Sequence, residues 1–366
     1  MIPLWPSGRQ RVALSDVYRG HDNLFTLIRL LLAGAVAVEH AFVNRLPPDA
    51  PAPMEWHDFS LSYAGVNAFF ILSGFLISDS LQRRRSLEAY AAARILRIYP
   101  ALIILVFLAI FVFGPIFSAF DAAEYWWSAD MWRFPAETLT FVNGEGGPPG
   151  IFPNSHFAGE FSASLWTLRY EIVAYLVLPI FSAIPLISGR WARLALPIVL
   201  ASTYELLLAS GGEAVWSATM VSFARLGACF ALGMAIYSFR EALTLGWAIP
   251  VGLTLLWATL AGGTFAGELV GNAAIAAWMF TLAFASKVAI SRLKSMPDYS
   301  YGLYIWHWPM MQVWGELDTD ATALETLAFA LPTGLILAAL SWHIIERPAL
   351  DSKRRLAWLF ENMAGR

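Results

Sequence analysis

The chain has 366 residues, of which 58% are hydrophobic and 14% charged, with a formal net charge of −3. A soluble globular domain carries about a quarter charged residues, so the composition excludes an ordinary soluble fold, and the net charge excludes a basic nucleic-acid-binding surface. The lone Cys229 excludes an internal disulfide framework, and with no separate soluble core in view the expected architecture is one all-α polytopic membrane domain.

A helix crosses the hydrocarbon core with roughly 17–25 mostly apolar residues. Ten such runs follow one another, at residues 24–44, 62–81, 98–118, 165–187, 194–209, 218–238, 245–261, 269–287, 299–315 and 323–345. The first is too long for a signal-peptide core and lacks a small-residue cleavage site, which predicts a retained helix. An even count returns both termini to one face. The segments placed on that face hold 19 of the 24 Lys and Arg residues, among them Arg83, Arg84, Arg85, Arg94 and Arg97, and the excess of positive charge predicts that it is cytoplasmic. Residues 1–23 and 349–366 are then cytoplasmic segments flanking a transmembrane domain over 24–348. The 119–164 stretch becomes a long periplasmic loop, rich in Gly, Pro and aromatic residues and holding Asp121, Glu124, Asp130, Glu137, Glu145 and Glu160. A loop of that length covers a site, binds a polar acceptor, or merely connects helices.

Ionisable residues within membrane helices cost roughly 2.5–3.5 kcal/mol each on insertion scales and mark functional candidates. In the first run Arg29 and His40 are eleven residues apart, which is three helical turns plus about 20°, so they share a face and lie about 16 Å apart along the axis. A guanidinium that grips phosphate at one end and an imidazole acting as general base at the other suit a long anionic donor and an attacking hydroxyl. The same pair also suits a snorkelling arginine and a histidine bonded to a neighbouring helix. Glu39 points about 100° away from His40 and is expected to be a structural partner or pore group.

Arg94 and Arg97, at i and i+3, are neighbours on one helical face and either grip a phosphate together or anchor the helix on the positive side. In Ser164-Leu165-Trp166-Thr167-Leu168-Arg169-Tyr170-Glu171, Glu171 falls at the depth of His40 and is a candidate to orient its ring, as a carboxylate beside an imidazole does; a local charge pair with Arg169 is the alternative. The ninth run holds Tyr299, Tyr301, Tyr304, Trp306, His307 and Trp308. Aromatic belts explain much of that content, and His307 is expected to form an interhelical hydrogen bond. No zinc-ligand spacing, P-loop, nucleophile elbow or dinucleotide fingerprint occurs in the sequence.

Taken in order, Arg29-x10-His40, the run from Gly65 through Asn67 and Ser73-Gly74-Phe75 to Ile77, Arg94-x-x-Arg97, Leu165-Trp166-Thr167-Leu168-x-x-Glu171, Tyr301-Gly302-Leu303-Tyr304-Ile305-Trp306-His307 and Ile345-Glu346-Arg347-Pro348 resemble the acyltransferase-3 family of bacterial membrane acyltransferases. The resemblance covers most of the chain. It implies a multi-pass protein of the bacterial inner membrane that moves an acyl group, most often acetyl, from cytoplasmic acyl-CoA to a hydroxyl of a polysaccharide, lipopolysaccharide or lipid-linked sugar. Acetyl-CoA would be a co-substrate, with no permanently bound cofactor or metal. His40 matches the family's catalytic histidine, and Arg29, Arg94 and Arg97 match its essential arginines on the donor side. Glu171 is expected beside His40, and Ser73, Trp166, Tyr304 and His307 are expected near the site. Asn67 departs from the pattern, since an acidic residue is common there, and the chain looks like the stand-alone form without a soluble domain after the last helix. Expected partners are acyl-CoA, a carbohydrate or glycolipid acceptor, the bilayer, and either polysaccharide-assembly proteins or a second copy, with no nucleic acid. The rival function is a proton-coupled transporter or flippase using His40, Glu39 and Glu171 as relay groups.

Overall fold

A computed structural model describes residues 12–18, 23–47, 53–83, 86–184, 188–284, 293, 295–352 and 356. Each of the ten expected runs falls on a helix: α1 (Phe25–Val43), α2 (Leu61–Arg83), α3 (Leu87–Phe117), then, beyond two short loop helices α4 (Ala122–Trp127) and α5 (Asp130–Leu139), α6 (Ala163–Ala183), α7 (Arg190–Ala209), α8 (Ala218–Ser238), α9 (Ala248–Thr259), α10 (Phe265–Phe284), α11 (Ser300–Leu317) and α12 (Ala323–Asp351). Two two-residue ladders, Val12–Ala13 with Thr244–Leu245 and Glu55–Trp56 with Phe59–Ser60, and an isolated bridge between Ser118 and Ile151 are the β pairings among the described residues.

Eight of these helices, not ten, are long and apolar enough to cross a membrane. The seventh run is helical over only 12 residues, and α11, although 18 residues long, carries Tyr301, Tyr304, His307 and Gln312 and is not among the eight. Its side chains are almost all buried in protein instead. The third run also starts earlier than expected. Ser86 caps α3 by accepting from the Ala89 N–H, with Glu88 in the positive first turn, so the basic segment through Arg97 is continuous with the spanning helix. Arg84, Arg85, Lys287, Arg292, Lys294 and the basic residues of the two ends that carried the topology expectation lie outside the described residues.

The chain divides into two compact units. The first comprises residues up to Leu32, Glu55–Arg83 and Val173–Pro297. Its centre is the approach of α2 to α8, where a Cβ on Gly74 would run into the Phe230 carbonyl and one on Gly233 into the Ile71 carbonyl. Only small residues let two membrane helices come this close. Phe25, Phe75, Phe280 and Phe284 pack edge to face nearby, with centroids 4.8–6.2 Å apart. Several polar side chains in this unit pair with one another. Asn67 donates to Asn272 (3.0 Å), Asn272 and Tyr63 donate to the Glu268 carboxylate (2.8 and 3.0 Å), and the Arg225 guanidinium lies 4.0 Å over the Tyr63 ring. The position where a carboxylate is common thus holds an amide in a polar cluster that includes Glu268. Ser73, partly exposed, makes no hydrogen bond among the described residues.

The second unit comprises Ala33–Met54, Arg84–Ile172 and the chain from Asp298. Gly302 faces Ala338 at a separation that leaves no room for a Cβ, and Gly334 lies against the backbone of His307, so α11 and α12 pack closely. The long loop is folded rather than loose. Asp121 caps α4 through the N–H groups of Ala123 and Glu124, and the Tyr125 hydroxyl donates to the Ile110 carbonyl at 2.7 Å. That carbonyl lies in a π-helical turn, Ala109–Phe113, where the ordinary helical pairing is interrupted and an outside donor finds an acceptor.

Candidate active site

His40 comes from α1 and His307 from α11, and the two imidazoles meet inside the second unit. His40 Nδ1 lies 2.8 Å from His307 Nε2, with the rings stacked at 5.1 Å and 28°. The other nitrogen of His307, Nδ1, is 3.0 Å from the Leu303 carbonyl. A carbonyl only accepts, so His307 Nδ1 carries the proton; in the neutral ring Nε2 then accepts, and the proton between the rings belongs to His40 Nδ1. His40 Nε2 is left with its lone pair. His307 is 0% exposed whereas His40 keeps part of its surface accessible. The accessible ring is therefore the one whose tautomer is fixed as a proton acceptor, and the enclosed ring fixes it.

Local sequence explains how α11 holds this position. Pro309 has no N–H to give the Ile305 carbonyl, and the Ser162 hydroxyl donates to that oxygen instead (3.3 Å), while Ser164 donates to the carbonyl of Tyr304 (2.8 Å). The Tyr304 hydroxyl pairs with Thr167 Oγ1 at 2.7 Å, and its ring is 6.0 Å from that of His307. One turn beyond the imidazoles, Asn44 donates to Gln312 Oε1 (2.9 Å), which also accepts from Ser155 (3.0 Å). Gln312 Nε2 donates to the carbonyls of Phe157 (2.7 Å) and Glu160 (2.9 Å). Phe157 rests edge-on against Trp308, and Trp308 edge-on against His40. Through Ser155, Phe157 and Glu160 the long loop packs against this end of α11.

The other expected site residues have the following surroundings. At Nδ1 the partner of His40 is His307, and Glu171 lies within electrostatic range of the Tyr304 hydroxyl. Arg97 is held by two carboxylates, Asp298 at 2.9 Å and Glu346 at 3.5 Å, with Tyr301 beneath it at 5.6 Å. Ser300 and Ser341 donate in turn to Asp298 (2.6 Å) and Glu346 (2.9 Å). A guanidinium so placed ties α3, about three turns into that helix, to the start of α11 and the last turns of α12, and would have to leave a carboxylate to take a phosphate. Arg94 stacks on Tyr90 at 6.0 Å, and Trp166 packs on Tyr170. Arg29 and His40 both fall within the Phe25–Val43 helix. Glu39 is buried, at 2% exposure.

Asn44, Gln312, Asp298 and Glu346 were not singled out by residue pattern. Polarity inside an apolar span was the available signal for Gln312, and Glu346 stood in a quoted motif without a role. In the loop, burial and the neighbouring charge of Glu145 push the Glu160 carboxyl up to about 7.

A polytopic helical membrane protein with a tautomer-locked histidine pair beneath a folded loop has the parts of a proton-transfer catalyst. Comparison with known proteins makes the class specific: the chain belongs to the family described as "Acyltransferase domain", matched over residues 23–344. It is 28% identical to Nodulation protein 10 of Rhizobium leguminosarum bv. viciae, with 92% of this chain and 95% of that protein covered. It is 26% identical to the O-acetyl transferase of Shigella phage Sf6 (89% and 95% covered) and to Exopolysaccharide production protein ExoZ of Rhizobium meliloti strain 1021 (81% and 92%). No solved structure matches the chain significantly.

Proposed function

We propose that the protein is an O-acyltransferase that moves an acetyl group from acetyl-CoA to a saccharide hydroxyl, with His40 as general base. The observation that carries this reading is the hydrogen-bonded chain from the Leu303 carbonyl through His307 to His40, which leaves His40 Nε2 as the lone acceptor. His40 Nε2 takes the hydroxyl proton as the oxygen attacks the thioester carbon. The C–O bond forms, the C–S bond breaks, and the thiolate of CoA recovers the proton from the imidazolium. His307 Nε2 accepts from the Nδ1–H throughout, stabilising the charged ring as an acceptor does in a triad. Direct transfer needs no acyl-enzyme.

Arg29, three turns from His40 on the same helix, is proposed for a phosphate of the donor, and Arg94 is a second candidate. Arg97 is assigned the positioning of helix ends rather than donor contact. Glu171 is proposed to act through Tyr304. The relatives' names, an O-acetyl transferase and an exopolysaccharide production protein, support acetyl as the group and a polysaccharide or its precursor as the acceptor. Membership in an acyltransferase family weighs against the transporter.

The test is acetyl transfer and CoA release by purified protein in detergent, without any gradient. Wild type should release CoA in the presence of acceptor, and His40→Ala should be slower by roughly 100-fold or more, as for loss of a general base. Equal rates would remove His40 from the chemistry, and release by neither protein would remove acyl transfer.

A further inference from the structure

The loop over the imidazoles carries a carboxylate that this chemistry does not use. Glu160 lies two residues before Ser162, whose hydroxyl holds the Ile305 carbonyl, and its own carbonyl accepts from Gln312. Gln312 accepts from Asn44, one helical turn beyond His40. Phe157, three residues earlier, rests on the Trp308 ring that meets His40. The backbone bearing Glu160 is therefore tied to both helices that supply the imidazoles. Its side chain is half-buried and makes no hydrogen bond among the described residues, and the titratable group whose charge acts on it is Glu145. A carboxylate drawn out of water without a donor is in a costly state that a ligand rich in O–H groups relieves.

The rest of the loop narrows the ligand. Asp121, Glu124, Asp130, Glu137 and Glu145 stand against Arg133 alone, and Arg133 is paired with Glu137 at 2.8 Å. A surface of that sign repels a polyanionic chain.

We propose that Glu160 is the acceptor-recognition residue of this site, its carboxylate accepting hydrogen bonds from hydroxyls of a neutral saccharide bound beneath the loop. This rests on the O-acyl transfer reading. An ionised acceptor bonds about twice as strongly as a neutral one, and with its carboxyl pushed up to about 7 Glu160 gains that strength as pH rises through neutrality.

The experiment is steady-state kinetics with acetyl-CoA and a neutral oligosaccharide, compared with a uronate-rich one, at about pH 6 and about pH 8, on either side of the Glu160 titration. For wild type the acceptor KM should fall several-fold between the two, and the neutral acceptor should be preferred. Glu160→Gln should raise the acceptor KM about tenfold at the higher pH and flatten its pH dependence, with donor KM unchanged and kcat at saturating acceptor within about twofold, the pattern of lost uniform binding. Glu160→Asp, which keeps the charge, should fall between them, and it serves if the Gln variant does not fold. A wild type that transfers acetyl with an acceptor KM indifferent to Glu160, or that prefers the polyanion, overturns the proposal and leaves acyl transfer standing. A wild type that acetylates no hydroxyl removes both.

Discussion

Replacing His307 by Leu tests whether the second imidazole works by fixing the tautomer of the first. His307 supplies the acceptor 2.8 Å from His40 Nδ1. Without it, the form of His40 that keeps Nε2 free must leave an N–H unsatisfied in a buried place, at a cost of about 1–3 kcal/mol. At 1.36 kcal/mol per decade, the productive form and kcat fall by roughly 5- to 150-fold. His307→Gln can place an amide oxygen near the lost Nε2 and should recover most of the activity, which a purely steric role would not allow. CoA release is followed at saturating donor and acceptor, with melting temperature as the control for folding. In the proposed mechanism the donor KM should stay unchanged, because His307 touches His40 and not the thioester. A folded Leu variant within about twofold of wild type, or a Gln variant as impaired as Leu, would refute the tautomer argument.

Arg97→Ala should destabilise the protein by about 3–5 kcal/mol, because Glu346 (1% exposed) and Asp298 lose their counter-charge; thermal unfolding in detergent reads this, and adding Glu346→Gln should restore part of the loss. Gly74→Ala drives a methyl into the Phe230 carbonyl and should cost about 1–3 kcal/mol or more by overpacking, seen as a lower melting temperature. Gln312→Leu removes four hydrogen bonds at once, so limited proteolysis should cut between residues 150 and 162 faster than in wild type. Glu160 also links stability to pH. Its folded pKa of about 7 lies above the ordinary value of 4.5, so the stability contributed by its protonated form is complete below that ordinary value and lost as pH rises through about 7. Melting curves of Glu160→Gln should lack this component.

The membrane class and all ten helical runs were legible in the sequence because they depend on length and apolarity, which are local. The ordered motifs pointed to the acyltransferase family that the matched region establishes. Count and boundaries were less secure, since α11 carries polar side chains through a length that can cross a membrane only by burying them in protein.

Partners were not legible. A histidine in an apolar helix must find a hydrogen-bonding group, but the sequence does not say which, because that depends on how helices rotate and approach one another. His40 met His307, 267 residues away. Arg97 met Asp298 and Glu346, 201 and 249 residues away. Sequence by itself determined which runs are apolar and helical and which residues share a face of a helix. Only the tertiary structure, by packing α1 against α11 and the loop against both, decided which polar group satisfies which, and thereby which nitrogen of His40 is left to accept a proton.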